Sequence, residues 1–231
     1  MPELFTFVGA LLPHDMDHNT HKMVIYLAHM LISAVIALLL VRSAMSNLQL
    51  VPKGSQNFME AYIGGVLKMG ADVMGEKDAR RFVPLIATIG LFVGIANLIG
   101  VIPGFEAPSA FLEFALTLAI AVFIYYNYIG IKEQGVIKYF KHFLGPVWWL
   151  YWLMFPIEIV SHFSRLVSLS FRLFGNVKGD DMFLMVILML APWLLPMIPF
   201  ALLTFMALLQ AFIFMMLTTV YIGSAIAVED H

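Results

Sequence analysis

Glu158, Ser161, Arg165, Ser168, Arg172 and Asn176 recur every three or four residues within one of the most apolar parts of the chain. At about 100° per residue all of them fall within about 40° of the Arg172 direction, with His162 and Asp180 at one edge of the stripe. Ser170, Lys178 and Asp181 point elsewhere. A narrow polar stripe on an apolar helix needs a polar partner or water along it, because each charge left in lipid costs about 2.5–3.5 kcal/mol even on the insertion scale. Glu158 and Arg165 can be read as a salt bridge packing this helix to its neighbours. Arg172 has no carboxylate three or four positions away. Its partner must come from another helix, another subunit or a transported ion. Gln210 is the one amide in the run Met182 to Tyr221, which carries no formal charge. It reads either as part of the same polar system or as a hydrogen bond packing two helices.

The elements that position these residues are membrane spans. Hydrophobic residues make up 61% of the 231 and charged residues 12%, and mean hydropathy is +0.91. A soluble core of this length does not need that much apolar surface. Met23 to Val41, Phe82 to Ile102 and Phe111 to Ile131 each approach the ~20 residues that cross a ~30 Å bilayer core, the last interrupted only by Glu113. The fold class expected is all-α and polytopic: about five membrane helices plus an amphipathic surface helix, in one membrane domain. An N-terminal segment (1–22) precedes a first span (23–41), a surface helix (52–75), a helical hairpin (82–131) and a long tilted hairpin (146–227).

Basic residues in short connections set the orientation. Arg42, Lys53, Lys68, Lys77, Arg80 and Arg81 lie between the first two spans, the loop "PGFEAPSA" has none, and Lys132, Lys138 and Lys141 follow the third. The first and third connections are therefore expected to be cytoplasmic, with the N-terminus external and the C-terminus cytoplasmic. Within the first connection, Phe58, Tyr62, Val66, Met69 and Val73 share a helical face, and Glu60, Lys68 and Asp72 lie mainly opposite. Such a helix lies on the membrane surface or packs against a partner.

In the second half, "GPVWW" (145–149) reads as a helix start with an interfacial aromatic belt. No proline follows Pro156 until Pro192, Pro196 and Pro199, which read as a hairpin turn before a last helix from Phe200 to Ala227. A continuous helix from Ile157 to Ala191 would be ~52 Å long at ~1.5 Å per residue. It must break, at Gly175 or Gly179, or lie steeply tilted. The polar stripe favours the tilted helix.

Other chemistry is thinly supported. The net charge of −2 argues against a nucleic-acid partner, and the absence of cysteine excludes disulfides and thiolate metal sites. His14, His18 and His21, with Asp15 and Asp17 nearby, have helix-compatible spacing for a metal. No cysteine or second cluster supports it, and no metal or cofactor is expected. His29 reads as a packed or interfacial histidine. The first residues lack the basic region and cleavage site of a secretory signal.

The motifs then converge on one family. "LSFRLFGN" resembles the signature of subunit a of F-type ATP synthases. In the family's order, "NLIGVIPG" (97–104) resembles its asparagine-glycine-proline motif, "PIEIVSHFSRLVSLSFRLFGN" its long fifth helix, and "LQAFIFMMLTTVYIGSA" (209–225) its last helix. The resemblance covers the chain from about Val51 to the end. It implies a proton-conducting stator subunit in a bacterial plasma (inner) membrane. Its partners would be a ring of c subunits, the b subunits of the peripheral stalk, indirectly the catalytic head, and membrane lipid. Arg172 resembles the essential arginine facing the ring, which separates two offset aqueous half-channels. Asn176 and Gln210 correspond to polar residues near that arginine and the external half-channel, Glu158 and Ser161 to residues lining the cytoplasmic exit. Asp181 stands where relatives often carry glutamate at the external entrance.

Three positions depart from the family. Leu203 stands where some relatives have a histidine or acid, so the external relay must be wired differently. Glu113 occupies a region where relatives show an acid and an asparagine, and reads as a channel contributor or an interfacial carboxylate. Lys178 beside the arginine motif is expected to pair with Asp181 or Asp180. The resemblance leaves proton and sodium coupling open. A secondary transporter would show two related halves and paired broken helices, and neither is found. A haem-binding quinone oxidoreductase subunit needs paired histidines, for which only His29 and His162 are available in likely spans. The chain has no GxxxxGK[ST] phosphate loop, so ATP chemistry is not expected of it alone.

Overall fold

The computed structural model describes residues 6–11, 17–46, 48–136, 151–190 and 197–226. Those residues are helical and joined by short connections, with no strand among them. Their order is α1 (Phe7–Leu11), α2 (His18–Met45), α3 (Ser55–Met74), α4 (Glu76–Val101), a one-turn 3-10 helix (Pro108–Ala110), α5 (Leu112–Gln134), α6 (Tyr151–Leu190) and α7 (Met197–Ile226). Four helices, α2, α4, α5 and α7, are long and apolar enough to cross a membrane. The chain is a polytopic all-α membrane protein. The 40-residue α6 differs from those four because charged side chains occur along its length. At ~1.5 Å per residue it is ~60 Å long. It runs unbroken through Pro156, Gly175 and Gly179.

Glycine sets one sharp turn in this order. Gly75 has φ 81°, a left-handed conformation that ends α3, donates its N–H to the Ala71 carbonyl and lets α4 begin at once. The chain thus folds α3 back onto α4. Tyr62 fixes that packing by donating its hydroxyl to the Ala87 carbonyl at 2.8 Å. Gln56 holds the start of α3 to the preceding loop through Gln49 N and O, both at 3.0 Å. The inward face of α3 is Gln56, Val66 and Gly70, with Tyr62 half-buried. Phe58 and Val73, expected on the apolar face, are exposed. The inward stripe is rotated towards the small Gly70, whose missing side chain leaves room for Ala79.

The core lies where α4 and α5 meet α6 and α7. Phe82, Ile86, Val93, Phe114, Tyr126, Leu173 and Phe214 are buried there. Two polar contacts mark opposite ends of the bundle. At one, Arg81 of α4 meets Glu133 of α5 at 2.7 Å, and Gln134 donates to the Ala225 carbonyl of α7 at 2.9 Å. At the other, buried Ser109 donates to Asn97 at 2.5 Å, while the Asn97 amide reaches the Ala207 carbonyl at 3.4 Å. The second contact pins the α4–α5 connection onto α7. The expected aromatic start at 145–149, the turn prolines Pro192 and Pro196, and His14 and Asp15 lie outside the described residues.

Candidate functional site

The polar stripe of α6 divides into three parts along the helix. Arg172 is in the middle, and its side chain is exposed on the outer face. Its neighbours there are apolar: Phe163, Val167 and Phe171 are more than about half exposed or close to it, at 57%, 49% and 57%. Ser168 is exposed beside them, and Ser161 and Arg165 are half-buried. Among the described residues no carboxylate pairs with Arg172. The apolar outer face continues on α7, where Phe205, Leu208, Phe212, Met216 and Val220 recur at helical spacing and are exposed.

One turn beyond Arg172, Asn176 donates its amide to the Gln210 carbonyl oxygen at 2.8 Å. Gln210 is 3% exposed, so this bond joins α6 to α7 in a dry setting. Of the two sequence readings of Gln210, the packing hydrogen bond is present. The same residue also lines a cavity. Asn97, Asn176, Asp180, Asp181, Leu203 and Gln210 all face that cavity, which has about 20 Å³ of room, enough for an ordered water. Leu203 is buried on the wall, where a protonatable group would have faced Asp181. Asn97 and Asn176 supply the polar lining in its place.

Lys178 stands beside this cavity. Its ammonium is 3.6 Å from Glu106 and 3.9 Å from Asp181. The expected pairing with Asp181 is present, and Glu106, in the loop before the 3-10 turn, is a partner that spacing along α6 could not reveal. Glu113, in the first turn of α5, is exposed.

The third part lies towards the start of α6. Glu158 approaches His162 Nε2 at 3.6 Å, and His162 Nδ1 is 3.0 Å from the Tyr126 hydroxyl of α5. Arg165 places its guanidinium over the Tyr221 ring, 5.6 Å from the centroid. The sequence suggested Glu158 with Arg165. The folded chain instead sets Glu158 against His162 and Arg165 against an aromatic face. The sequence placed His162 at the edge of the stripe without giving it a partner, and it missed Tyr126. The i,i+4 spacing of Glu158 and His162 was a usable signal, whereas Tyr126 arrives from 36 residues earlier in the chain. No group of three metal-ligating side chains occurs among the described residues.

A helical membrane bundle with a charged stripe on its longest helix is the class that fold and site define. Residues 25–223 match the family described as ATP synthase A chain. The chain is 79% identical over 231 residues to ATP synthase subunit a of Sulfurimonas denitrificans, covering all of both chains. It is 57% identical to that of Helicobacter hepaticus over 99% of this chain and 98% of the relative, and 58% identical to that of Campylobacter fetus over the whole of both. The chain belongs to the ATP synthase subunit a family, a membrane-sector subunit of the ATP synthase complex.

Proposed function

We propose that this chain is the proton-conducting stator subunit of a rotary ATP synthase, with Arg172 as the fixed charge between two half-channels. The observation that carries this reading is the exposed guanidinium between two separate polar groups on α6. One group, Glu158 with Ser161 and His162, lies before it. The other, Asn176 with Gln210 and Asp181, lies after it.

Glu158 is fourteen positions before Arg172, or ~21 Å along the helix, and Asp181 is nine after it, or ~14 Å. A ring of c subunits passing the outer face presents its carboxylates to Arg172. An opposite charge beside a carboxyl favours its anion, so the proton is released there. Away from Arg172 the ring meets lipid and each carboxyl must be neutral, because a lone charge is not tolerated in hydrocarbon. Protons then enter by one polar group and leave by the other, and the ring must turn to join them. One charge crossing ~100 mV releases ~2.3 kcal/mol, which turns the ring only if no direct path bypasses it. Arginine suits the task because its guanidinium is always protonated and its planar fork holds an orientation.

The Asp181 cavity is assigned to the external half-channel, and the Glu158 group to the cytoplasmic one. Lys77, Arg80, Arg81 and Lys132 at the Glu133 end support a cytoplasmic placement of that end, with the N-terminus external. In the complex the outer face of α6 and α7 contacts the c ring. Exposed faces elsewhere are left for lipid and the b subunits of the peripheral stalk.

The test is ATP-driven acidification of vesicles holding the reconstituted synthase in sodium-free buffer. The parent acidifies its vesicles and an assembled Arg172→Ala synthase does not. Acidification by that variant at the parental rate would remove Arg172 from the mechanism. A strict sodium requirement in the parent would replace proton coupling with sodium coupling.

A further inference from the structure

We infer that His162 is a proton-exchanging residue of the cytoplasmic half-channel, working with Glu158 and held ready by Tyr126. This rests on the proposed function, and it gives a role to a residue that the sequence placed only at the edge of the polar stripe.

Among the described residues two histidines, His29 and His162, are buried within helices, and they are wired in opposite ways. His29 is fully buried; Nδ1 lies 2.8 Å from the Ile25 carbonyl, which can only accept, so Nδ1 carries the proton. Its Nε2 is buried without a hydrogen-bond partner. A second N–H, at Nε2, would be buried with nothing to accept it.

His162 is also buried, at 8% exposure, but neither nitrogen has that restriction. Nδ1 meets the Tyr126 hydroxyl at 3.0 Å. A hydroxyl both donates and accepts. It donates to Nδ1 when that atom is bare and accepts from it when that atom is protonated. Nε2 faces Glu158 at 3.6 Å, a carboxylate that offsets an imidazolium charge. Nδ1 is therefore hydrogen-bonded in both protonation states of the ring, while Nε2 lies just beyond hydrogen-bond reach of Glu158. Glu158 on α6 lies against Nε2 and Tyr126 on α5 against Nδ1, and Arg165 on α6 and Tyr221 on α7 act on Tyr126. Arg165 is engaged with the Tyr221 ring, which leaves Glu158 to the histidine.

The exchange is one proton transfer. The O–H bond of the Glu158 carboxyl breaks and an N–H bond forms at Nε2, leaving carboxylate and imidazolium side by side at unchanged net charge. The reverse transfer returns the proton to the carboxyl, from which it passes to cytoplasmic water. The 3.6 Å separation is bridged by one water or closed by a small rotation of the Glu158 side chain. His162 thus stores a proton beside the exit and sets how readily Glu158 takes the next one.

The experiment uses the complete synthase in vesicles whose cytoplasmic face is outward. Acidification rate is divided by the ATP hydrolysis rate of the detached catalytic head at the same pH, so the head's own pH response cancels. The outside pH is stepped with the inside buffered. The parental ratio is expected to inflect between about pH 5 and 8, the range where histidine titrates. His162→Gln keeps a hydrogen-bonding side chain but cannot titrate, and should lose the inflection. Tyr126→Phe keeps the ring packing and should move the midpoint without removing it. A His162→Gln profile that keeps the parental inflection, or a parent without one, overturns the inference. If His162→Gln does not assemble, Tyr126→Phe decides, and an unmoved midpoint overturns it. Arg172→Ala separates the two levels: its loss of pumping alongside a parental His162→Gln profile defeats this inference alone, whereas undiminished pumping by Arg172→Ala defeats the proposed function.

Discussion

The bond between Asn176 and Gln210 gives a prediction whose size and asymmetry both follow from burial. Gln210 is 3% exposed and Asn176 is half-buried on the cavity wall. Removing Asn176 with Asn176→Leu leaves the buried Gln210 carbonyl without its partner, and a buried group so stranded costs about 1–3 kcal/mol. Removing Gln210 with Gln210→Leu leaves Asn176, which is only half-buried, nearer solvent, so the loss should be nearer the low end of that range. In the double variant no group is stranded. Interhelical hydrogen bonds inside membranes average about 0.6 kcal/mol and reach about 1.7. The double variant should therefore be better than the sum of the singles by about that much, a factor of ~3 to ~18 in an equilibrium constant. The assay is a double-mutant cycle on unfolding of the purified protein by sodium dodecyl sulfate in mixed micelles, followed by loss of tryptophan fluorescence structure. Additive losses, within about 0.3–0.5 kcal/mol, would refute the coupling. A larger loss for Gln210→Leu than for Asn176→Leu would refute the burial reasoning behind it.

Two further predictions concern the other polar contacts. Burial pushes the Tyr62 phenol up to about 12. Because its folded value lies above the ordinary ~10, the stability it contributes is complete below about pH 10 and is lost as pH rises through about 12. Subtracting the alkaline absorbance titration of Tyr62→Phe from that of the parent should leave a single late component near 12; a difference centred near ~10 would show the phenol to be free. At neutral pH the same substitution should cost about 1 kcal/mol through the lost bond to the Ala87 carbonyl. The Arg81–Glu133 contact is 44% and 35% exposed, so Arg81→Gln should lower stability by no more than about 1 kcal/mol at low salt. The effect should vanish near 1 M salt, where the screening length is ~3 Å; a thermal shift that ignores salt would contradict the exposed-pair reading.

Hydropathy made the spans legible because it reports directly on lipid contact. It marked Met23 to Val41, while α2 continues from His18 to Met45. The difference has a physical cause, since backbone hydrogen bonding persists beyond the apolar core into the interface. The sequence favoured a tilted helix over a break at Gly175 or Gly179, and α6 is continuous through both. A glycine in a helix costs only about 1 kcal/mol, too little to break a helix whose backbone would otherwise be left unsatisfied in lipid. The stripe from Glu158 to Asn176 was legible because it depends on local periodicity alone. What faces the stripe was not. Asn97 with Ser109 and Asn176 with Gln210 are set by packing between helices, and the Glu106–Lys178 contact joins a loop to α6. On α3, periodicity gave an apolar face for a membrane surface or a partner helix but not which part packs inward; close approach at Gly70 sets that, and Phe58 and Val73 remain outside.

The central claim is that Arg172 keeps the two half-channels apart, and passive proton leak tests it most directly. Vesicles containing the assembled synthase would be given a potassium diffusion potential without nucleotide, and internal pH followed for the parent, Arg172→Lys and Arg172→Ala. The account predicts little leak in the parent, and a clear increase in Arg172→Ala, where nothing replaces the fixed charge. Arg172→Lys, which keeps the charge without the planar fork, should fall between them. Equal leak in all three, with coupled pumping intact, would contradict the account and leave Arg172 a residue of the complex's packing alone.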